Sequence, residues 1–445
     1  SSSILLFKML FCSMQIQKIY KLFIASSGIS TDTRTLKKDA LFLALRGDNF
    51  NGNLYAEKAL SLGASSVIVD DPKLKNLGAN SIVVEDTLKT LQELATYHRK
   101  QLNTPIIGIT GSNGKTTTKE LVREVLSQKY KILATKGNLN NHIGVPLTLL
   151  ELTKEHQIAI IEMGANHLDE IKNLCCISLP NWGYITNFGK AHLEGFGGVD
   201  GVIKGKSELY NHLIEQQQKI LINGDDPLQI KQTKNYPVSS FGHGKENTFQ
   251  ISTNEKDDEL QLTYNDQIFT SNLYGAYNLN NIAAAILFGY IFEVPTKSIQ
   301  KAIQKYQATN NRSQKIKIKN TSIILDAYNA NPTSMEHAIK AFKKIATQKS
   351  VLIMGDMKEL GVESEKEHQQ IVDYCLEMKF EQIDLIGPLF SKTKDVADRV
   401  RKHKNLNSFT NFINAQSQLD FDHIMIKGSR SMKLETLLPL FESKL

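Results

Sequence analysis

The chain has 445 residues, 41% of them apolar and 22% charged, with a formal net charge of +7. At roughly 150 residues per domain this length excludes one ordinary core and points to three, and the apolar share excludes a disordered chain. Lysine and arginine are scattered rather than gathered into a run, which argues against a nucleic-acid face and leaves a mild positive field suited to anionic small substrates.

The first thirteen residues hold the apolar stretch Ile4 to Cys12, interrupted by Lys8 and lacking both a basic leader and a small-residue cleavage site. A signal peptide is therefore not expected, and residues 1–13 read as an upstream extension before Met14. No stretch approaches the roughly 18 apolar residues of a membrane span. Cys12, Cys175, Cys176 and Cys375 lack metal-ligand spacing, and the adjacent pair is poorly placed to bridge. The expectation is a reduced, cytoplasmic protein, working as a monomer without nucleic acid.

From Ile19 to about Asn103, apolar runs at Leu41–Leu45, Ser66–Val69 and Ser81–Val84 alternate with helix-like segments at Leu54–Leu62 and Thr87–Leu102. This predicts a small N-terminal α/β domain over residues 1–103. Pro105 opens a second unit, residues 104–311, with the apolar run Ile106–Ile109, the helical segment Thr117–Leu126 and strand-like runs at Ile158–Glu162 and Tyr184–Thr186. Repetition of strand, loop and helix predicts a mostly parallel sheet of P-loop type with helices on both faces. Between Asn247 and Leu273, the alternation Leu260, Leu262, Tyr264 before Asn265-Asp266 predicts antiparallel hairpin structure, and Asn278–Phe288 a closing helix. Residues 312–445 predict a doubly wound, Rossmann-like α/β domain with strands at Ile323–Leu325, Val351–Met354, Ile383–Ile386 and Ile424–Ile426.

The segment Gly108-Ile-Thr-Gly-Ser-Asn-Gly-Lys-Thr-Thr-Thr118 lies between strand and helix, the setting of a phosphate-binding loop. Gly111, Ser112, Asn113 and Gly114 are expected to turn backbone N–H groups toward ATP phosphates. Lys115 neutralises the β and γ phosphates, Thr116 can hold Mg²⁺, and Thr117 continues the helix N-terminus. Ile109 stands where the usual loop has its first glycine. No guanine-reading Asn/Thr-Lys-x-Asp is present, which weakens a GTPase reading. Glu162 ends an apolar strand at the carboxyl edge of the sheet, where it either binds Mg²⁺ with Thr116 or simply meets solvent.

At this point the chain, from about Met14 to its C-terminus, resembles the Mur ligase family, whose members activate a carboxylate with ATP and join it to an amine. The segments Asp326-Ala-Tyr-Asn-Ala-Asn-Pro332, Gly355-Asp-Met-Lys-Glu-Leu-Gly361 and Lys427-Gly-Ser-Arg-Ser-Met432 are similar to the member that adds D-alanyl-D-alanine to UDP-N-acetylmuramoyl-tripeptide. The resemblance implies that reaction, through an acyl phosphate.

It also implies roles residue by residue. His192 and a carbamylated Lys206 hold a second Mg²⁺, and Ser207-Glu-Leu-Tyr210 sets the register on Lys206. Asn278 and Asn281, on one helix face, meet the adenine side of ATP, while Tyr277 stands where many members carry histidine. Arg312 reaches the γ-phosphate and Asp326 the nucleotide. Thr33 and Arg34 hold the UDP moiety, Asn138, Asn140 and Asn141 form a substrate loop, and Asn329 and Asn331 receive D-alanyl-D-alanine.

The blander alternatives are a structural histidine, a solvated lysine, a helix-capping Asn278, turn-forming asparagines and plain salt bridges or turn roles at Arg312 and Asp326. Two rival functions stay open: another carboxylate–amine ligase of the same core, such as a different Mur enzyme or a folylpolyglutamate-type synthetase, and a non-enzymatic nucleotide-binding protein.

Overall fold

The apolar runs of the sequence become the strands of three large, mostly parallel sheets in a computed structural model that describes residues 2–78, 80–256, 259–394 and 397–445. Contacts gather the chain into two compact units. One runs to Gly108 and adds Tyr130–Gly164 and Glu170–Gly183; the other comprises Ile109–Lys129, Ala165–Asp169 and Tyr184–Leu445.

In the first unit, a four-stranded parallel sheet runs in the order Ile29–Ser30, Leu41–Leu43, Ser66–Val69, Ser81–Val83. Phe42, Val67 and Val69 share a core with Ala56 and Ala59. The expected helix over Leu54–Leu62 divides into a 3-10 turn at Gly52–Tyr55 and the helix Ala56–Ser61. Helix Thr87–Gln101 starts where Asp86 caps it, its carboxylate accepting from Lys89 N at 3.0 Å. The helix Ser2–Ala25 runs unbroken through Met14, so no break marks the boundary read there. Among the described residues no helix is long and apolar enough to cross a membrane.

The seven-stranded sheet has the order Phe249–Gln250, Ser239–Gly242, Lys219–Asn223, Trp182–Ile185, Ile106–Thr110, Ile158–Glu162, Ile132–Ala134. Strand Ile106–Thr110 is buried along its whole length, as a strand covered on both faces must be. It delivers the phosphate loop to the N-terminus of helix Lys115–Leu126.

In the second unit that helix packs against Leu279–Ile291. The predicted hairpin is a three-stranded antiparallel sheet, Ser252–Lys256, Glu259–Tyr264 and Gln267–Ser271. Asn265 and Asp266 turn its second corner with φ of 47° and 61°, the left-handed conformations a tight hairpin demands. The C-terminal sheet has six strands, Gln314–Ile318, Thr321–Asp326, His423–Lys427, Ser350–Gly355, Gln382–Ile386 and Val400–His403. All neighbours are parallel except the first pair. Ile323, Leu325, Ile353, Ile424, Ile426, Phe409 and Phe441 fill its core.

Candidate active site

Strand Ile106–Thr110 ends, and the chain turns through Gly111 to Gly114 before the helix begins. Gly114 has φ 80°, and a Cβ on it would lie 2.8 Å from Asn281 Oδ1, so this corner requires glycine. Lys115 Nζ donates to Gly111 O at 2.8 Å, folding the ammonium back over the loop. Asn113 is pinned through its backbone: its N donates to Asn187 Oδ1 at 3.0 Å, and its carbonyl accepts from Thr186 Oγ1 at 2.6 Å. Ser112 Oγ donates to Gly189 O at 2.8 Å.

Asn281 accepts from Thr118 Oγ1 at 2.9 Å and donates to Asn278 Oδ1 at 2.9 Å. Asn278 in turn donates to Tyr274 O at 2.8 Å, so its amide does not cap the helix it precedes. The two asparagines are thus one buried pair fastened to the phosphate-loop helix.

The C-terminal segment reaches the same loop. Arg312 Nη2 donates to Thr116 Oγ1 at 3.1 Å, and its guanidinium lies 3.5 Å over the Tyr328 ring. Asn331 Nδ2 donates to Asn113 Oδ1 at 2.7 Å, while Asn331 Oδ1 accepts from Ser334 N at 2.9 Å and so caps the helix Pro332–Ile345. Asp326 accepts from Lys427 Nζ at 2.8 Å and from Ser313 Oγ at 3.2 Å. Tyr277 completes this network through its hydroxyl on Ser313, and burial, with the Asp326 charge next, pushes that phenol well above its ordinary range. Asn329 is exposed, its Oδ1 accepting from Ala330 N at 2.9 Å.

His192 stands in a left-handed conformation, φ 52°, with Nδ1 bonded to the Glu359 carboxylate. The hydrogen bond from His192, followed by burial working the other way, leaves the Glu359 carboxyl below its usual range. Glu194 N donates to Glu359 O at 3.1 Å, Lys190 N to Thr333 Oγ1 at 2.9 Å, and Lys190 Nζ to Glu367 Oε1 at 3.0 Å. The loop bearing His192 is therefore clasped by the C-terminal segments at several points. Lys206 is fully buried, its Nζ donating to Ala165 O at 3.2 Å and lying 5.2 Å from the Phe196 ring centre.

In the first unit, Glu162 is 2% exposed and accepts from Asn140 Nδ2 at 3.0 Å.

Three family descriptions match in sequence order: "Mur ligase family, catalytic domain" over residues 26–99, "Mur ligase middle domain" over 109–289, and "Mur ligase, glutamate ligase domain" over 311–430. The UDP-N-acetylmuramoyl-tripeptide--D-alanyl-D-alanine ligase of Bacillus subtilis (strain 168) is 34% identical, with 94% of each chain covered. That of Treponema pallidum (strain Nichols) is 30% identical at the same coverage. The chain belongs to the Mur ligase family. A crystal structure of MurF from Acinetobacter baumannii superposes on this Mur ligase with a TM-score of 0.84 at 32% identity, covering 94% of this chain and 93% of that one.

Within this Mur ligase hydrogen bonds tie Asn281, Arg312 and Asn331 to the phosphate loop and its helix, which hold Asn113, Lys115 and Thr116, while Asn278 is bonded to Asn281 and Asp326 to Ser313, next in the chain to Arg312. Asp326 does form the plain salt bridge that sequence left open, with Lys427, whereas the Arg312 contact is to the Thr116 hydroxyl. Asn140 is engaged with Glu162, and Asn141 turns the chain by accepting from Ile143 N at 3.1 Å and Gly144 N at 2.9 Å; Asn138 is exposed. Arg34 forms a bidentate pair with Asp32, at 3.0 Å from Nε to Oδ1 and 2.7 Å from Nη2 to Oδ2, and Thr33 is partly buried beside it.

Among the described residues no group of three or more His, Cys, Asp or Glu side chains forms a metal-binding array. The donor chemistry of the expected magnesium ligands divides. Thr116 and Glu162 offer hard oxygens that suit Mg²⁺. His192 has one ring nitrogen taken by Glu359, and Lys206 is a donor as it stands.

Sequence reading missed Thr118, Asn187, Tyr328 and Glu359 as members of this region. Three of them lie inside motifs singled out for other residues. Their side chains act on neighbours rather than matching a recognisable chemical pattern, so only the fold shows what they touch.

Proposed function

We propose that this Mur ligase joins D-alanyl-D-alanine to UDP-N-acetylmuramoyl-tripeptide with ATP, a step of peptidoglycan precursor synthesis. The observation that carries the reading is the bond between Asn331, in Tyr328-Asn-Ala-Asn-Pro332, and Asn113 of the phosphate loop, beside the Arg312 contact on Thr116. It brings the segment that is similar to the D-alanyl-D-alanine-adding member onto the loop expected to hold ATP. Likeness over 94% of both chains to relatives named for this reaction supports it, and disfavours the sibling, folate-type and non-enzymatic alternatives.

The γ-phosphoryl group of ATP passes to the terminal carboxylate of the tripeptide, giving an acyl phosphate. The amine of D-alanyl-D-alanine attacks that carbonyl, and phosphate leaves from the tetrahedral intermediate. Lys115 and Arg312 disperse charge at the phosphoryl oxygens, and the buried Asn278–Asn281 pair orients the nucleotide. Asp326, held by Lys427 and Ser313, fixes the nucleotide side of the C-terminal segment.

Thr116 would hold Mg²⁺, which would supply further positive charge at the phosphates; the Glu162 carboxylate, in the first unit, offers a hard oxygen of the kind such an ion takes. Carbamylation of Lys206, in which the neutral amine would add CO₂ and release a proton, would convert this donor into an oxygen ligand able to hold a second ion with His192. Residues 1–103 serve the UDP substrate through Thr33 and Arg34, residues 104–311 ATP, and residues 312–445 the dipeptide through Asn329 and Asn331. The enzyme works as a cytoplasmic monomer, which size-exclusion chromatography of the purified chain checks.

The deciding assay is phosphate release from ATP and Mg²⁺ with UDP-N-acetylmuramoyl-tripeptide, with and without D-alanyl-D-alanine, following the nucleotide product by mass. Release that needs both substrates and yields the pentapeptide is expected. Release with a single amino acid, or without any peptide substrate, would move the function to a sibling ligase or to a nucleotide hydrolase.

A further inference from the structure

Tyr328 carries two arginines. Arg312 lies 3.5 Å from its ring centre and turns its Nη2 onto Thr116 of the phosphate loop. Arg430 lies 5.1 Å from the same ring centre, and its Nη1 donates to the Tyr328 hydroxyl at 3.3 Å. Such stacking leaves the guanidinium edge open for planar, two-point recognition of an oxyanion.

The basic groups of this region differ in what holds them. Lys427 is buried on Asp326 and on Asn329 O, at 2.8 Å and 3.2 Å. Arg312 is bound to the loop. Arg430 is exposed and, among the described residues, its guanidinium has no carboxylate partner; the group that holds it is the Tyr328 hydroxyl.

Local structure presents it there. Gly428 packs where a Cβ would fall 3.1 Å from Gly355 Cα and 2.6 Å from Leu434 Cδ1, so the chain leaves strand His423–Lys427 tightly against its neighbour. Ser429 is then fastened through Oγ to Asp356 O at 2.7 Å, and the 3-10 turn Arg430–Met432 starts at the arginine. The guanidinium is thus fixed at both its backbone and its ring, next in space to the motif Tyr328-Asn-Ala-Asn-Pro332.

We infer that Arg430 receives the free carboxylate of the incoming dipeptide and so determines the specificity for it. This rests on the ligase reading above. Of the dipeptide's two ends the amine must be free to attack, so the recognition charge belongs at the other end. Arginine offers a carboxylate two parallel N–H donors, which also orient the chain that carries the nucleophile. Arg312, on the same ring, faces the phosphoryl chemistry, so Tyr328 sets the spacing between the two anion-binding groups.

The test compares D-alanyl-D-alanine with its C-terminal amide as acceptor in the full-length enzyme, measuring kcat and KM for acceptor and for ATP. The wild type should prefer the acid by about ten- to a hundredfold in kcat/KM, the scale of a charged hydrogen-bonded contact. Arg430→Ala should lose that preference, chiefly through the acceptor KM, with the KM for ATP and the rate with the amide unchanged. Arg430→Lys should recover part of it, keeping the charge without the fork, and thermal melting shows whether each variant is folded.

A wild type that turns over but does not distinguish acid from amide would overturn the assignment alone. So would an Arg430→Ala enzyme that keeps the preference, or one that loses acid and amide rates equally. Absence of any dipeptide-dependent turnover in the wild type would instead remove the ligase reading beneath it. If Arg430→Ala does not fold, the acid–amide ratio of Arg430→Lys decides: a ratio equal to that of the wild type counts against the proposal.

Discussion

Asn331 joins two jobs in one amide: its Nδ2 donates to Asn113 on the phosphate loop at 2.7 Å, while its Oδ1 accepts from Ser334 N at 2.9 Å and starts the helix Pro332–Ile345. Substitution separates them. Asn331→Asp keeps the capping oxygen and loses the donor, so melting should change by no more than a few tenths of a kcal/mol while turnover falls about tenfold. Asn331→Ala should lose the cap as well, about 1 kcal/mol of stability. A double-mutant cycle with Asn113→Ala should give a coupling of about 0.5–1.5 kcal/mol in activation free energy. Additive effects would mean that the loop and the C-terminal segment work independently.

Lys115→Ala should abolish measurable ligation, a loss on the order of a thousandfold or more, because no other ammonium is folded over the loop from within it. The residue opens helix Lys115–Leu126 and is half-exposed, so the variant should melt close to the wild type. Retained phosphate release and pentapeptide formation in the variant would sink the proposed mechanism.

Gly114→Ala tests the corner between loop and helix. Its φ of 80° already costs an L-residue about 1 kcal/mol, and the new methyl would meet Asn281 Oδ1 at 2.8 Å. Asn281 is buried and held by Thr118 and Asn278, so moving away would break those bonds. The expected result is a raised KM for ATP, by about tenfold, together with a lower melting temperature; an unchanged KM would show that Asn281 does not shape the nucleotide site.

Much of the fold was legible because strand and helix periods differ. The runs at Ser66–Val69 and Ile158–Glu162 match the observed strands residue for residue, and Asn265-Asp266 turns the antiparallel sheet where its composition indicates. Two strands of the C-terminal sheet went unread. Gln314–Ile318 alternates exposed lysines with inward isoleucines on an edge, so it lacks the continuous apolar run that marked its neighbours, and it is the antiparallel member. Val400–His403 is a short edge strand whose His403 and Arg401 are polar because both serve the buried Asp384. In the site, the loop lysine and the C-terminal asparagines were legible as chemical types. Pairings such as Tyr328 with Arg312 and Arg430, or His192 with Glu359, join residues far apart in the chain, and no local pattern encodes them.

The protein should lose stability in mild acid through His368. Burial lowers its pKa, only partly offset by its backbone bond to Ser364. The ring's Nε2 accepts from Met357 N at 3.0 Å, which the protonated ring cannot do, while Nδ1 donates to Ser364 O at 2.7 Å. The folded state therefore binds this proton less readily than the unfolded chain, whose histidine titrates near pH 6.5. The contribution is fully present above about pH 6.5 and is lost as pH falls below it, with a slope approaching about 1.4 kcal/mol per pH unit, until the folded group titrates. Urea melts at pH 7.5 and 5.5 should show the drop, and His368→Gln should reduce it. An equal drop in that variant would assign the effect to other buried histidines, such as His98 and His212, whose pKa values are lowered chiefly by burial.

Glu359 offers the sharpest separation of a clasp from a catalytic support. Its main chain accepts from Glu194 N at 3.1 Å whatever its side chain, and its φ of 59° is equally unfavourable for glutamate and alanine. Glu359→Ala therefore removes the carboxylate from His192 without altering the backbone contact or its strain. If the carboxylate orients the imaidazole for Mg²⁺, the variant should lose about ten- to a hundredfold in kcat/KM and require more MgCl₂ for half-maximal rate, as outer partners of metal-binding histidines do. Folding should be little affected, because the carboxylate is half-exposed, 51% by side chain, and surface ion pairs contribute little to stability. An activity loss with the MgCl₂ dependence unmoved would leave Glu359 as a clasp on the His192 loop, and unchanged kinetics would show that the imidazole is held in place by its own left-handed backbone.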